Sequence, residues 1–410
     1  MTQAETNQDA NPSLSVALPV YNGAAFIEVT LSSILNQTFT DYELICVDDG
    51  STDNSVELLT EYAGNDSRMC VISQTNEGPG AARNRGLDAA SGEFVIMLDA
   101  DDIYDSSMFE TMIAQAKGDG ADVVACRSTL FDDASGEELD SSWVIKNDQL
   151  PNASTFSPED IKDFIFTAFM GWPWDKLYRR SYIEREKLRF PKLSNSEDLY
   201  FVFLSLAKAS RISVIDSSLI RHRMNRAGSV SSSRKSAPLD FYKSICEFKA
   251  ALKMNANDWA NYSWSFFNWA LEYLVWNIST MNDPEGRRMQ LDALINGGFA
   301  EIELEEHAAS YFSLCPANYS QYLSLLREAY GVKQEEPHTR RSISNHIASF
   351  FSRVDQDGLK NALCASLSYR LGRAGTADAP APTIPARASS YAITEISRLL
   401  PQDELNGATK

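Results

Sequence analysis

Between Leu14 and Leu98 the chain alternates short apolar runs with helical patterns. The last run, Phe94-Val-Ile-Met-Leu98, stops in three carboxylates, Asp99, Asp101 and Asp102, interrupted only by Ala100. An unbroken apolar run of this length reads as a strand buried on both faces, as in a sheet covered by helices on each side. Carboxylates crowded at a strand end repel one another unless a cation or strong donors neutralise them, so the cluster points to a divalent metal site. The plainer reading is an acidic turn capping a helix that begins near Ser106.

The preceding segments give the cluster its context. Leu14–Val20 reads as a strand, and 23–36 as a helix with Ile27, Leu31, Ile34 and Leu35 on one face. Tyr42–Val47 is the next strand, followed by a helix over Ser55–Tyr62 with Ser51, Thr52 or Asp53 as its N-cap. Met69–Ser73, Gly80–Ala90 and 93–98 continue as strand, helix and strand. Strands joined by helices in this way predict an α/β fold with a parallel, doubly wound sheet. Such sheets bind ligands beyond the carboxyl ends of their strands, and every strand here ends in a polar cluster. These are Pro19-Val-Tyr-Asn22, Asp48-Asp-Gly-Ser-Thr-Asp53, Asn76-Glu-Gly-Pro-Gly80 and the aspartates.

The net charge of −19 excludes nucleic acid as the expected partner, since phosphate backbones require a dense basic face. An enzyme of this charge that handles an anionic nucleotide needs a local metal or arginines. Six scattered cysteines, none in a Cys-x-x-Cys pair, read as reduced thiols of a cytosolic protein. Met1–Pro12 is polar and reads as a disordered lead-in. The weakly charged stretch Trp259–Asn282 contains too many Asn and Ser residues for a spanning helix and is expected to be a buried, aromatic-rich one.

Further along, 122–127 is a predicted strand, Phe131–Pro151 an acidic, loop-rich insertion, and Pro158–Phe169 and Glu197–Ala207 predicted helices. Beyond Pro238 the periodicity is helical to about Gly372; 373–388 reads as a flexible linker and Ser389–Leu400 as a short terminal helix. The expected division is a lead-in at 1–12, an α/β domain at 13–235, a helical domain at 236–372 and a tail at 373–410.

The strand-end residues suit particular chemistry. Tyr21 offers an aromatic face for a nucleobase, or a rim packing on the helix behind it; Asp49 offers an acceptor for a base imide or ribose hydroxyl; Gly50 permits the close turn between them. Asn76-Glu-Gly-Pro-Gly-Ala-Ala-Arg-Asn-Arg-Gly86 opens a helix whose backbone N–H groups and Arg83 could hold phosphate, although Arg83 and Arg85 could equally be solvated charges. It is neither a Walker loop nor a Gly-x-Gly-x-x-Gly fingerprint.

Taken together, Ser15-Val-Ala-Leu-Pro-Val-Tyr-Asn22, Val47-Asp-Asp-Gly-Ser-Thr-Asp53, the Asn76–Gly86 segment and Leu98-Asp-Ala-Asp-Asp102 resemble the ordered motifs of family 2 glycosyltransferases with the GT-A fold. The resemblance covers residues 13–125 strongly and 170–232 more weakly. It implies an inverting enzyme that moves a sugar from a nucleotide-diphosphate donor to a glycan or lipid-linked acceptor in cell-surface polysaccharide assembly. By that resemblance Pro19, Tyr21, Asp49, Arg83, Asp99 and Asp101 contact the nucleotide sugar, Asp101 and Asp102 meet Mn²⁺ or Mg²⁺, and Asp198 of the pair Glu197-Asp198 is the general base. The alternative for that pair is complementing a helix N-terminus. Gly171-Trp-Pro-Trp174 resembles the acceptor-side segment, with Trp172 stacking on a sugar and Trp174 expected in the core. Arg221–Ser231 reads as a basic loop closing over the diphosphate through Arg223 or Arg226, with His222 as a metal ligand or a structural histidine.

Two other functions are compatible with parts of this pattern: a nucleotidyltransferase, which would place a charged glycine-rich loop after the first strand, and a non-catalytic glycan-binding or scaffolding protein. The expected setting is the cytoplasm at the inner face of the membrane, where the basic pattern Ser366–Arg373 would either touch anionic lipid or pack against the catalytic domain.

Overall fold

The computed structural model describes residues 11–225, 234–296, 299–307 and 309–329. The chain divides into two compact units, Met1–Phe266 and Phe267–Lys410.

The first half of the first unit follows the predicted alternation. Strands β1 (Leu14–Val20), β2 (Tyr42–Asp48), β3 (Met69–Ser73) and β4 (Phe94–Met97) are joined by helices α1 (Ile27–Leu35), α2 (Ser55–Asn65) and α3 (Pro79–Ala89). β1 pairs in parallel with β2 on one side and β4 on the other, and β2 pairs in parallel with β3. The chain thus moves outward from β1 to β3 and returns to β1's other edge as β4. That reversal opens a crevice at the carboxyl ends of the strands. The helix before β2 buries Ile27, Thr30, Leu31 and Ile34 against the sheet. Asn54 rather than Ser51, Thr52 or Asp53 occupies the N-cap of α2, while Asp53 accepts hydrogen bonds from the N–H and hydroxyl of Ser55.

Beyond β4 the sheet becomes mixed. The elements are β5 (Ile103–Tyr104), α4 (Met108–Asp119), β6 (Val123–Asp132), β7 (Glu138–Leu139), β8 (Thr155–Phe156), β9 (Lys176–Arg179), α5 (Arg180–Arg185), α6 (Glu197–Lys208) and β10 (Ile212–Met224). The strand order is β3-β2-β1-β4-β9-β6-β10-β5, with β7 on β6 and β8 on β10. β9 lies antiparallel between β4 and β6, whereas β10 runs parallel to β6. Two expectations change here. The helix expected over Pro158–Phe169 is a single 3₁₀ turn at Pro158–Ile161, capped reciprocally by Ser157 and Asp160. Continuing it would compete with the burial of Phe166, whose ring meets those of Phe203, Phe248 and Tyr262. Arg221–Met224, expected in a loop, finishes strand β10.

The unit is completed by α7 (Asp240–Lys253) and the beginning of α8 (Ala256–Ser279). In the second unit, the rest of α8 is followed by α9 (Pro284–Ile295) and α10 (Pro316–Ala329). Arg287 of α9 makes a bidentate pair with Glu328 of α10, and Asn268 is buried with its amide donating to the Tyr311 carbonyl. No helix among the described residues is long and apolar enough to cross a membrane. The terminal helix, the linker and the basic stretch Ser366–Arg373 lie outside the described residues.

Close contact of α3 with β1 sets the depth of the crevice, and Gly86 makes that contact. A Cβ there would lie 2.7 Å from the Ala17 Cβ. In an open helix Gly→Ala stabilises by roughly 1 kcal/mol. At this position Gly86→Ala is expected to destabilise by about 1–3 kcal/mol through overpacking, read as a lower denaturation midpoint in guanidinium.

Candidate active site

Apolar strands bring the polar ends of β1 and β4 side by side, since Ala17 faces Met97 in the ladder and Leu98 donates to the Ala17 carbonyl. Asp99, Asp101 and Asp102 follow, each offering a carboxylate oxygen within 4.8 Å of the others. The turn that carries them is held from several directions. The Thr30 hydroxyl on α1 reaches the carbonyls of Ala100 and Asp102, at 3.1 and 2.8 Å. The buried Tyr104 hydroxyl accepts from the Asp99 N–H and donates to its carbonyl. Arg223 at the end of β10 donates from Nε to the Asp101 carbonyl at 3.0 Å.

Arg83, in the first turns of α3, ties this turn to a distant segment. One guanidinium nitrogen lies 2.9 Å from Asp99 Oδ1 and the other 2.5 Å from Glu197 Oε1. Arg83 and Glu197 are both buried. Burial alone would lower the arginine's pKa, but Asp99, Glu197 and Asp198 hold it raised. Burial likewise pushes the Glu197 carboxyl up, opposed by Arg83. Asp198, beside it on α6, is driven up to about 7 by burial and then by Glu197, against the pull of Arg83. The start of α6 is itself braced from α7: Asp240 accepts from the Ser194 N–H, and the Ser244 hydroxyl donates to the Ser196 carbonyl.

Asp102 and His222 form a second linked pair. Asp102 has no solvent exposure, and both its oxygens lie within 2.9 Å of His222 Nδ1 while one also accepts from the Arg223 N–H. Burial pushes the Asp102 carboxyl up, opposed by His222; burial would lower His222, but Asp102 holds it raised. The imidazole stacks on Trp174 with centroids 4.4 Å apart, and Trp174 stacks in turn on Trp172 at 4.8 Å. Trp174 is buried, as expected, and Trp172 is partly exposed. A wholly buried ion pair lies beneath them: Lys176 Nζ donates to the carbonyls of Met170 and Trp172 and to Asp175 Oδ1.

The remaining expected residues fall around this centre. Tyr21 is 52% exposed at the end of β1, and Pro19 is half-buried just before it. Asp49 is buried, with its oxygens accepting from the Gln74 side chain and from the N–H groups of Glu77 and Gly78. It therefore staples the β2 turn to the glycine turn before α3. Gly50 has φ +74°, and a Cβ there would meet the Asn76 nitrogen at 2.9 Å. Arg223 pairs with Asp133 and lies 4.8 Å from the ring centres of both Phe26 and Phe131. That placement makes it a brace for the aspartate turn. Arg226 lies outside the described residues.

The donor set suits a hard divalent cation. Three carboxylate oxygens gathered within 4.8 Å of one another match Mg²⁺ or Mn²⁺. Asp102 offers an oxygen to this cluster while also pairing with His222 Nδ1 and accepting from the Arg223 N–H. Thr30, Tyr104, Asp175 and Lys176 were not recognised in the sequence. The adjacent Asp175-Lys176 charges in an aromatic segment were the one available signal, because isolated charges there must pair to be buried.

Both the sequence and the fold resemble those of known proteins. The family model of glycosyl transferase family 2 matches residues 15–186. The putative glycosyltransferase EpsH of Bacillus subtilis is 36% identical over 221 residues, covering 52% of this chain and 61% of the relative. The cholesterol galactosyltransferase of Borreliella burgdorferi is 33% identical over 229 residues, covering 54% and 62%. The chain thus spans about six-tenths of the length of these curated relatives. Among solved structures, S. aureus TarS 1-349 in complex with UDP-GlcNAc aligns with 80% of this chain and 95% of its own at a TM-score of 0.58 and 22% identity, a likeness of fold. Residues 15–186 thus match glycosyl transferase family 2, on a fold of the GT-A type.

Proposed function

We propose that the chain transfers a sugar from a nucleotide-diphosphate donor to a hydroxyl of a glycan or lipid-linked acceptor, with inversion at the anomeric carbon. The observation that carries this reading is the Asp99–Arg83–Glu197 bridge, which joins the aspartate turn to the acidic pair of α6 across 114 residues of sequence between Arg83 and Glu197. On this reading the bridge would hold a nucleotide-and-metal end and a proton-accepting end in one site.

In this scheme Tyr21 and Pro19 border the base, with Asp49 shaping the turns around it. Asp101 and Asp102 would hold Mn²⁺ or Mg²⁺, which when bound neutralises charge on the diphosphate. Asp102 orients His222, and Arg223 fixes the backbone of Asp101. Asp198 takes the proton of the acceptor hydroxyl as that oxygen bonds to the anomeric carbon and the carbon–oxygen bond to the diphosphate breaks. A single base acting in a direct displacement inverts the configuration. Trp172 would stack on a sugar of the acceptor. Work at the cytoplasmic face of a membrane, where nucleotide sugars occur, is part of the same proposal.

The proposal is tested first by a thermal-shift screen of UDP, GDP, CDP and dTDP sugars with Mn²⁺, where the true donor raises the melting temperature in proportion to its affinity. Absence of binding and of transfer or hydrolysis across the panel would refute it. Asp198→Asn is expected to retain donor binding and to lose on the order of 10²–10⁴-fold in transfer rate. Because the ionised carboxylate is the base, the wild-type rate should rise with pH through about 7, the value to which Asp198 is raised. Arg83→Met strands the buried Glu197 charge and should cost about 3–5 kcal/mol in guanidinium unfolding. Arg83→Lys should recover only part of that loss, because an ammonium cannot reproduce the two-pronged bridge.

A further inference from the structure

Within the acidic insertion, Trp143 is 37% exposed, yet the loop that carries it is well anchored. Its neighbours Val144 and Ile145 are buried, and Ile145 makes a bridge to Phe169. The Lys146 N–H donates to Ala168 and the Met170 N–H to Val144, while Arg127 donates to the Ile145 carbonyl. The indole N–H of Trp143 is already satisfied by the Asp140 carbonyl at 2.8 Å. The ring orientation is therefore set by the fold, and what it offers to solvent is apolar surface.

That surface meets the active centre. Trp143 and Trp172 have centroids 5.5 Å apart with planes at 69°, so the two rings form a corner, and Trp172 lies 5.2 Å from His222. Lys176 clamps the Trp172 carbonyl from below, which fixes the second wall. A corner of two indoles suits one saturated ring whose axial C–H groups contact one face while its edge meets the other. The exposed residues leading into Trp143 include Glu137, Glu138 and Asp140, with no lysine or arginine between Asp133 and Lys146. An anionic sugar would be repelled there.

We infer that Trp143 and Trp172 form a binding platform for a pyranose of the acceptor, one that is neutral or carries an amine rather than an acid group. This rests on the transferase reading above and adds the chemical class of a sugar unit of the acceptor.

The test uses the full chain labelled with 5-fluorotryptophan, which gives seven fluorine positions, one per tryptophan. The resonance missing from Trp143→Phe identifies Trp143. Methyl glycosides of glucose, galactose, mannose, glucosamine and glucuronic acid are then titrated, with glycerol as a polyol lacking a ring face. Expected is a saturable shift of the Trp143 resonance with at least one neutral or amino glycoside, binding about threefold or more tighter than the glucuronide. Trp172→Ala should weaken that binding about fivefold or more. A Trp143 resonance unmoved by every glycoside up to roughly 100 mM, a range that reaches beyond millimolar affinities, would overturn the platform. So would an equal response to glycerol, or a glucuronide that binds best. A parallel calorimetric titration of UDP, GDP, CDP and dTDP with Mn²⁺ separates the two readings. Nucleotide binding with a silent Trp143 removes the platform alone. A glycoside response without nucleotide binding supports the platform and removes the transferase reading alone.

Discussion

The guanidinium of Arg83 is the contact on which the rest of the site depends. A buried arginine between two carboxylates is stable only because each charge it meets is desolvated with it, so the three groups hold one another in place. Glu197 would have no reason to stay ionised inside the protein without Arg83, and Asp198 next to it would lose the neighbour that helps raise its pKa. The bridge also joins two halves of the unit that the chain builds separately: the parallel β3-β2-β1-β4 half and the segment leading into α6. The fold and the raised pKa of Asp198 are in this sense secured by the same atoms.

A comparable division of labour governs the aspartate turn. Of the three carboxylates, Asp99 faces Arg83 and Asp102 faces His222, while the backbone of Asp101 is held by Arg223. The turn is thus braced by α1, α3, β5 and β10, and three aspartates within one short turn acquire different surroundings. That differentiation explains how like charges so close together are tolerated without being interchangeable.

Much of this was legible beforehand. The alternation from Leu14 to Leu98 carries strand and helix identity in local periodicity alone, and the polar ends of the strands mark the crevice. What escaped detection depended on distant partners. Lys176–Arg179 pairs antiparallel to both β4 and β6, a placement no local pattern announces. Pro158–Phe169 looked helical until Phe166 found three aromatic neighbours. Arg83 was readable as a phosphate ligand because nothing near it in the chain reveals Glu197. His222 was identified as a candidate, but its partner Asp102 lies 120 residues away. Trp143 carried no signal, since an isolated tryptophan in a loop says nothing about which ring it will meet.

Lys176 has a consequence of its own. Its ammonium is sealed off from water and grips two carbonyls of the segment that holds Trp172 and Trp174, so amine-reactive reagents cannot reach it while that segment is seated. Modification of this one lysine therefore measures how often the indole-bearing segment lifts from the sheet, a local opening distinct from global unfolding. The same buried charge makes the position intolerant of arginine, whose planar fork and greater bulk do not fit a pocket built around a compact ammonium. The protein thus carries a natural reporter of its own breathing, bonded to the backbone of the segment that bears the two stacked indoles.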